Sequence, residues 1–164
     1  TGATYGLGVA GDAALCRRLG DATGYPVTTA SLAILEALKH LGARRITLVS
    51  PYPAWLTERS LAYWASGGIE VAEVVKMGET FRAYEMTTPE VEAALARIGG
   101  RPDAVVISGT GLITLPAILA AAGTIAAPLL SSNLCSAWLV LRQLGLAANT
   151  TLAQAAPGLA ADLS

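Results

Sequence analysis

The sequence predicts an α/β fold with a mainly parallel sheet flanked by helices. Three observations carry that reading. Short apolar runs rich in β-branched residues alternate with helix-period segments along the chain. Val105-Val106-Ile107 and Pro128-Leu129-Leu130 have the unbroken apolar character of strands covered on both faces. Each of these runs stops at small polar residues, Ser108-Gly109-Thr110-Gly111 and Ser131-Ser132-Asn133, before a helix begins. Ligands of parallel α/β sheets sit beyond the carboxyl ends of the strands, so both clusters are candidate sites.

In chain order, residues 1–11 are small and Gly-rich and read as a loop, with Asp12 as the N-cap of a helix that Gly24 ends. Tyr25-Pro26-Val27-Thr28-Thr29 reads as a short strand ending in two hydroxyls. Ile34, Leu35, Leu38 and Leu41 form the stripe of a helix over 31–41, stopped by Gly42. A strand over 46–49 leads to Ser50-Pro51-Tyr52-Pro53, and a helix over 54–65 ends at Gly67-Gly68. The 69–75 segment alternates as a strand, and 76–87 is irregular, with the character of a lid over a substrate. Thr88 is expected to cap a helix over 89–98. After the 105–107 strand a helix begins near Thr114 or Pro116, and the 134–144 helix stops at Gly145. The tail, 147–164, has room for one more short helix.

Composition narrows the function classes. The chain has 164 residues, 53% hydrophobic and 14% charged, which is too apolar for disorder and enough for one α/β domain with a real core. So few charges predict that part of the surface is covered, by another subunit of a homo-oligomer or by further chain. A net charge of −1 without a basic stripe argues against nucleic acid. The longest apolar stretch, 112–130, is broken by Pro116, Gly123 and Pro128, which argues against a membrane span. Cys16 and Cys135 lie far apart and no secretion signal is present, so a cytoplasmic location is expected. The chain starts at Thr1 rather than Met, and Thr1-Gly2-Ala3-Thr4 reads as a loop after a strand, which suggests an N-terminal truncation.

Gly6-Leu7-Gly8-Val9-Ala10-Gly11 matches the dinucleotide pattern GxGxxG, but neither the preceding strand nor the later acidic residue is present. The glycines fit a flexible site loop better, and no nucleotide cofactor is expected. Tyr52, fixed between two prolines at a strand end, is a candidate anion donor. Thr4, Thr28, Thr29, Ser50, Ser108, Thr110, Ser131, Ser132 and Asn133 all fall at expected strand ends. They would form a rim of neutral donors suited to a carboxylate held by hydroxyls and amides rather than by Arg, although helix capping explains many of them singly. His40, in the last turn of a helix beside Lys39, suits the helix dipole. No cluster offers a metal site and no Ser-His-Asp arrangement is supported. Cys135 falls in the first turn of a helix, where amides would lower a thiol pKa; its alternative is packing, as for Cys16. Trp55, Trp64 and Trp138 read as core or interface residues.

TGAT, ATGYPVTTASLAILEALKHLGARRITLVSPY, VVISGTGLITLPAI and PLLSSN together resemble the aspartate/glutamate racemase superfamily, in its arylmalonate decarboxylase and maleate cis-trans isomerase branch. The resemblance covers residues 1 to about 145. It implies a two-lobed fold whose opening strand–helix unit precedes Thr1, with about 1–27 and 125–164 in one lobe and about 28–124 in the other. It also implies chemistry without a cofactor at the carbon next to a carboxylate: decarboxylation, cis-trans isomerisation or racemisation of a small (di)carboxylic acid. By the resemblance, Gly2 and Gly109 stand where relatives carry catalytic cysteines, although the decarboxylase also has glycine at the first position. Thr4 and Tyr52 match carboxylate-holding hydroxyls, Ala3 replaces another, and Thr110 matches the residue whose amide faces the carboxylate. Substrate contacts are thus expected at Ala3, Thr4, Tyr52, Gly109, Thr110, Ser131 and Asn133, with Cys135 as the remaining candidate thiol. The alternative is a catalytically impaired, carboxylate-binding relative.

Overall fold

The computed structural model describes residues 2–80, 82 and 84–163. Thr1, part of the expected opening loop, lies outside them. A four-stranded, all-parallel sheet with order β2-β1-β3-β4 organises the chain. Its strands are β1 (Arg45–Ser50), β2 (Glu70–Lys76), β3 (Ala104–Ile107) and β4 (Leu129–Ser131). Every residue of β3 is buried, as its unbroken apolar run requires. The chain moves outward from β1 to β2 and then returns to the opposite side of β1 for β3 and β4. Topology therefore reverses between β1 and β3, and this opens a crevice beyond their carboxyl ends.

Helices cover both faces. Tyr5, Ile34, Leu38, Ile46, Leu48, Trp64, Val106, Leu130 and Trp138 form the core on one side. There α1 (Gly8–Thr23), α2 (Ala30–His40), α3 (Ala54–Ser66) and α6 (Ser132–Leu144) gather. Ile34, Leu35 and Leu38 are almost fully buried, each contributing about 1.5–3 kcal/mol by leaving water. The other face holds Val49, Val91, Val105, Ile107 and Ile118, beneath α4 (Thr88–Leu95) and α5 (Leu115–Ala121). Helices α7 (Thr150–Ala155) and α8 (Pro157–Ala160) and a 3-10 turn close the tail, where one helix was expected. His40 reaches that tail through Asp162, at 3.7 Å.

Several expectations need correction. Gly2–Leu7 is a 3-10 turn running directly into α1, rather than a flexible glycine loop. Asp12 is therefore a buried residue inside α1, not its N-cap. Its Oδ2 accepts bonds from the Thr4 hydroxyl (3.0 Å), the Thr29 hydroxyl (2.8 Å) and the Tyr63 hydroxyl (2.7 Å). Burial and the bond to Asp12 push the Tyr63 phenol well above its ordinary pKa. Residues 25–29 form no strand: Thr29 caps α2 by accepting from the Leu32 amide. Thr87, not Thr88, caps α4, in a reciprocal capping box with Glu90. β4 pairs with β3, so one sheet carries strands from before and after position 125.

Candidate active site

The crevice at the β1/β3 reversal is an open cleft of about 650 Å³. Three segments wall it. The 3-10 turn supplies Gly2, Ala3, Gly6 and Leu7. The β1–α3 corner supplies Tyr52, Trp55, Leu56 and Arg59. The β3 end supplies Gly109, Thr110 and Gly111, with Tyr84 over them. This volume falls within the usual range for small-molecule sites, about 300–1,000 Å³.

Tyr52 is held from several sides. Its amide donates to the Ser50 hydroxyl (3.3 Å), and its carbonyl accepts from the Thr57 hydroxyl (3.2 Å) and from Lys76 Nζ. Its phenol oxygen accepts from the Gly2 amide at 3.2 Å, which ties the β1 corner to the 3-10 turn. Pro53, extended at the N-cap of α3, starts the helix without further chain, so Trp55 and Arg59 follow on the cleft side. The Arg59 guanidinium lies over the Trp55 ring, 5.5 Å from its centre, the four-residue spacing of one helix face.

The β3 loop is fixed as firmly. Ser108 is fully buried and its hydroxyl pairs with that of Tyr5 at 3.1 Å. Gly109 has φ of +102°, a conformation side chains rarely adopt. A Cβ there would also lie 2.4 Å from Leu112 Cδ1 and 3.1 Å from Pro51 Cγ. At Gly111 a Cβ would meet the Tyr84 ring at 2.7 Å, so the exposed Tyr84 side chain would have to shift to admit one. The Thr110 carbonyl accepts from Asn133 Nδ2 at 3.0 Å.

Of the sequence-derived candidates, Gly2, Ala3, Tyr52, Gly109 and Thr110 meet in this cleft. The others do not line it. Thr4 turns its hydroxyl to Asp12, and Ser131 accepts from the Leu134 amide as the cap of α6. Ser131 and Asn133 border a separate, mostly apolar hollow with Leu112 and Leu152, from which Asn133 reaches back to hold the Thr110 loop. The expectation of an activated thiol at Cys135 is corrected: the residue is fully buried in the core, and desolvation pushes its pKa far upward. Helix amides lower a thiol pKa only where the thiolate can form without losing its solvation. Cys16 is buried too, and Trp64 and Trp138 are core, whereas Trp55 is 58% exposed. Sequence reasoning missed Trp55, Arg59 and Tyr84 as cleft residues. The first two had a signal in their spacing after Tyr52; for Tyr84 the signal was the lid character of the irregular 76–87 segment, which did not single out this residue.

Among the described residues, no group of three or more His, Cys, Asp or Glu side chains is placed to hold a metal ion. No helix among them is long and apolar enough to cross a membrane.

A family model described as arylmalonate decarboxylase matches residues 2–155. The arylmalonate decarboxylase of Bordetella bronchiseptica is 31% identical over 155 residues, covering 88% of this chain and 62% of that protein. A maleate isomerase of Geobacillus stearothermophilus is 29% identical over 74% of this chain and 50% of its own length. The chain thus spans between half and two thirds of the curated relatives it matches. Among solved structures, an unliganded arylmalonate decarboxylase superposes with a TM-score of 0.78 at 29% identity, over 87% of this chain and 64% of that one. A Nocardia farcinica maleate cis-trans isomerase with a covalently bound succinylcysteine intermediate superposes with a TM-score of 0.84 at 25% identity, over 99% and 67%.

Proposed function

The chain belongs to the arylmalonate decarboxylase family, and from that premise we propose an enzyme acting on a small (di)carboxylic acid at the carbon next to the carboxylate. The reaction is decarboxylation or cis-trans isomerisation or racemisation, without a cofactor. One observation supports it most: the Tyr52 phenol and the Gly109–Gly111 backbone face one cleft at the topological reversal of the sheet. Hydroxyl and amide donors of this kind hold a carboxylate and stabilise the charge that develops beside it. In decarboxylation, the bond to the departing carboxylate breaks and its electron pair passes to the remaining carboxylate as an enediolate. Carbon dioxide leaves and the α-carbon takes a proton.

The proton source separates this chain from a thiol mechanism. The maleate isomerase structure carries its intermediate on a cysteine. By the resemblance, Gly2 and Gly109 stand where relatives carry cysteines, and the Gly109 backbone has no room for a side chain. Protonation then falls to a cleft phenol or to water. That observation also favours a second reading, a carboxylate-binding relative with impaired turnover, since loss of an acid/base group costs about 10²–10⁴-fold in rate.

Calorimetry with phenylmalonate and maleate, beside chiral chromatography of a prochiral arylmalonate reaction, tests both readings. Expected are binding, slow decarboxylation and a product without fixed handedness. Tyr52→Phe weakens acid binding by about 0.5–1.5 kcal/mol. Binding with no turnover selects the second reading. A parent that binds neither acid, or a Tyr52→Phe variant that binds both as well as the parent, overturns the site.

A further inference from the structure

Charge in the cleft is one-sided. Among its described lining residues Arg59 is the single ionisable cation and no Asp or Glu is present, in a chain whose net charge is −1. Arg59 makes no ion pair among the described residues; Glu36, Asp162, Glu70 and Glu90 take other cations. Its guanidinium is nevertheless placed rather than loose. It lies over the Trp55 ring, and a Cβ at Gly6 would sit 3.5 Å from Nη1, so the group lies between α3 and the 3-10 turn. A planar fork held on an aromatic face suits a carboxylate and pre-orders its donors. Room is also available: a 650 Å³ cleft exceeds the needs of a small acid bound at Tyr52 and Thr110 alone. Between these groups the walls are apolar or aromatic, from Leu7, Leu56, Trp55 and Tyr84.

We propose that Arg59, stacked on Trp55, is a specificity-determining residue that binds a second anionic group of the substrate, remote from the reacting carboxylate and joined to it by an apolar or aromatic spacer. This rests on the functional reading above and adds the class of substrate tail. The reacting end lies at Tyr52 and the Gly109–Gly111 loop; the tail's carboxylate lies at Arg59.

The test compares phenylmalonate with (4-carboxyphenyl)malonate, which adds a single distal carboxylate, by calorimetry on the parent and on Arg59→Gln. Arg59 is exposed, so the variant folds, which circular dichroism verifies. For the parent the carboxylated ligand should bind about three- to tenfold tighter, and in Arg59→Gln the ratio should fall to near one. Raising salt should shrink the parent's ratio as well. A parent ratio of one, or a ratio retained in Arg59→Gln, overturns the assignment while leaving the acid site intact. Absence of binding by either ligand overturns the acid site itself, and this proposal with it.

Discussion

The carboxyl ends of β3 and β4 look alike as sequence: an apolar run, then Ser108-Gly109-Thr110-Gly111 in one case and Ser131-Ser132-Asn133 in the other. Their roles differ. After β3, two glycines keep side chains out and leave backbone facing the cleft. After β4, the chain enters α6 at once, so Ser131 caps the helix and Ser132 is buried. Topology makes the difference. The β3 end borders the reversal between β1 and β3, where the two connections diverge, whereas the β4 end leads into a helix packed against α2. A hydroxyl at a strand end is thus a cap by default, and becomes a ligand-facing group only where adjacent connections part.

The sharpest way to break this comparison is to put a side chain in the β3 loop. Gly109→Ala should cost about 2–4 kcal/mol in denaturant unfolding, combining backbone strain with the collision at Leu112. Gly109→Cys should behave likewise, so restoring a thiol there does not restore thiol chemistry; adding Leu112→Ala relieves the collision but not the strain. A Gly109→Ala protein as stable as the parent would show that the loop tolerates another backbone path. At β4 the expectation is opposite and smaller. Ser131→Ala should lose about 1 kcal/mol through the α6 cap and keep phenylmalonate affinity. A large loss of affinity with no loss of stability would return Ser131 to the site.

The smallest effect lies at the opposite, amino-terminal end of the two central strands. Asp103 accepts from the Arg44 and Arg45 amides at 2.9 and 2.8 Å, and these bonds hold its carboxyl below the usual carboxylate pKa. A depressed folded pKa stabilises above the unfolded value, near about 4, and that contribution is lost as pH falls through the folded value. Asp103→Asn should therefore flatten the acid limb of a stability-versus-pH curve below about pH 4 without altering acid binding at neutral pH. An unchanged acid limb would place the titrating groups elsewhere, with Glu73, held low by the Gly99 amide, the next candidate.

The sheet was largely legible in the sequence because its strands are short, β-branched and bounded by turn residues, and Gly24 and Gly145 stop their helices as expected. The opening segment was not. Local signals placed a cap at Asp12, but a helix begins earlier because Tyr5 buries its ring against Tyr52, Tyr63 and Trp64. Tyr25-Pro26-Val27 has strand-like residues but pairs with no strand among the described residues, which composition cannot show. Within the site, Tyr52, Gly109 and Thr110 were readable from their positions after strands. Arg59 was hidden by a rule that holds for most exposed helix arginines: they face solvent. Cys135 misled because its place in a helix was visible and the core around it was not.

Asp12 has a consequence for how this sequence can vary. One carboxylate oxygen gathers hydroxyls from the 3-10 turn, from the cap of α2 and from α3, three segments far apart in the chain. Losing one spoke leaves two donors on the hub; losing the hub takes one acceptor from three buried or half-buried hydroxyls at once. Substitutions at Thr4, Thr29 and Tyr63 are therefore conditional on one another, each milder alone than in combination, while position 12 is intolerant in every background. Drift in this region is confined to the periphery of a wheel whose centre is a single oxygen atom.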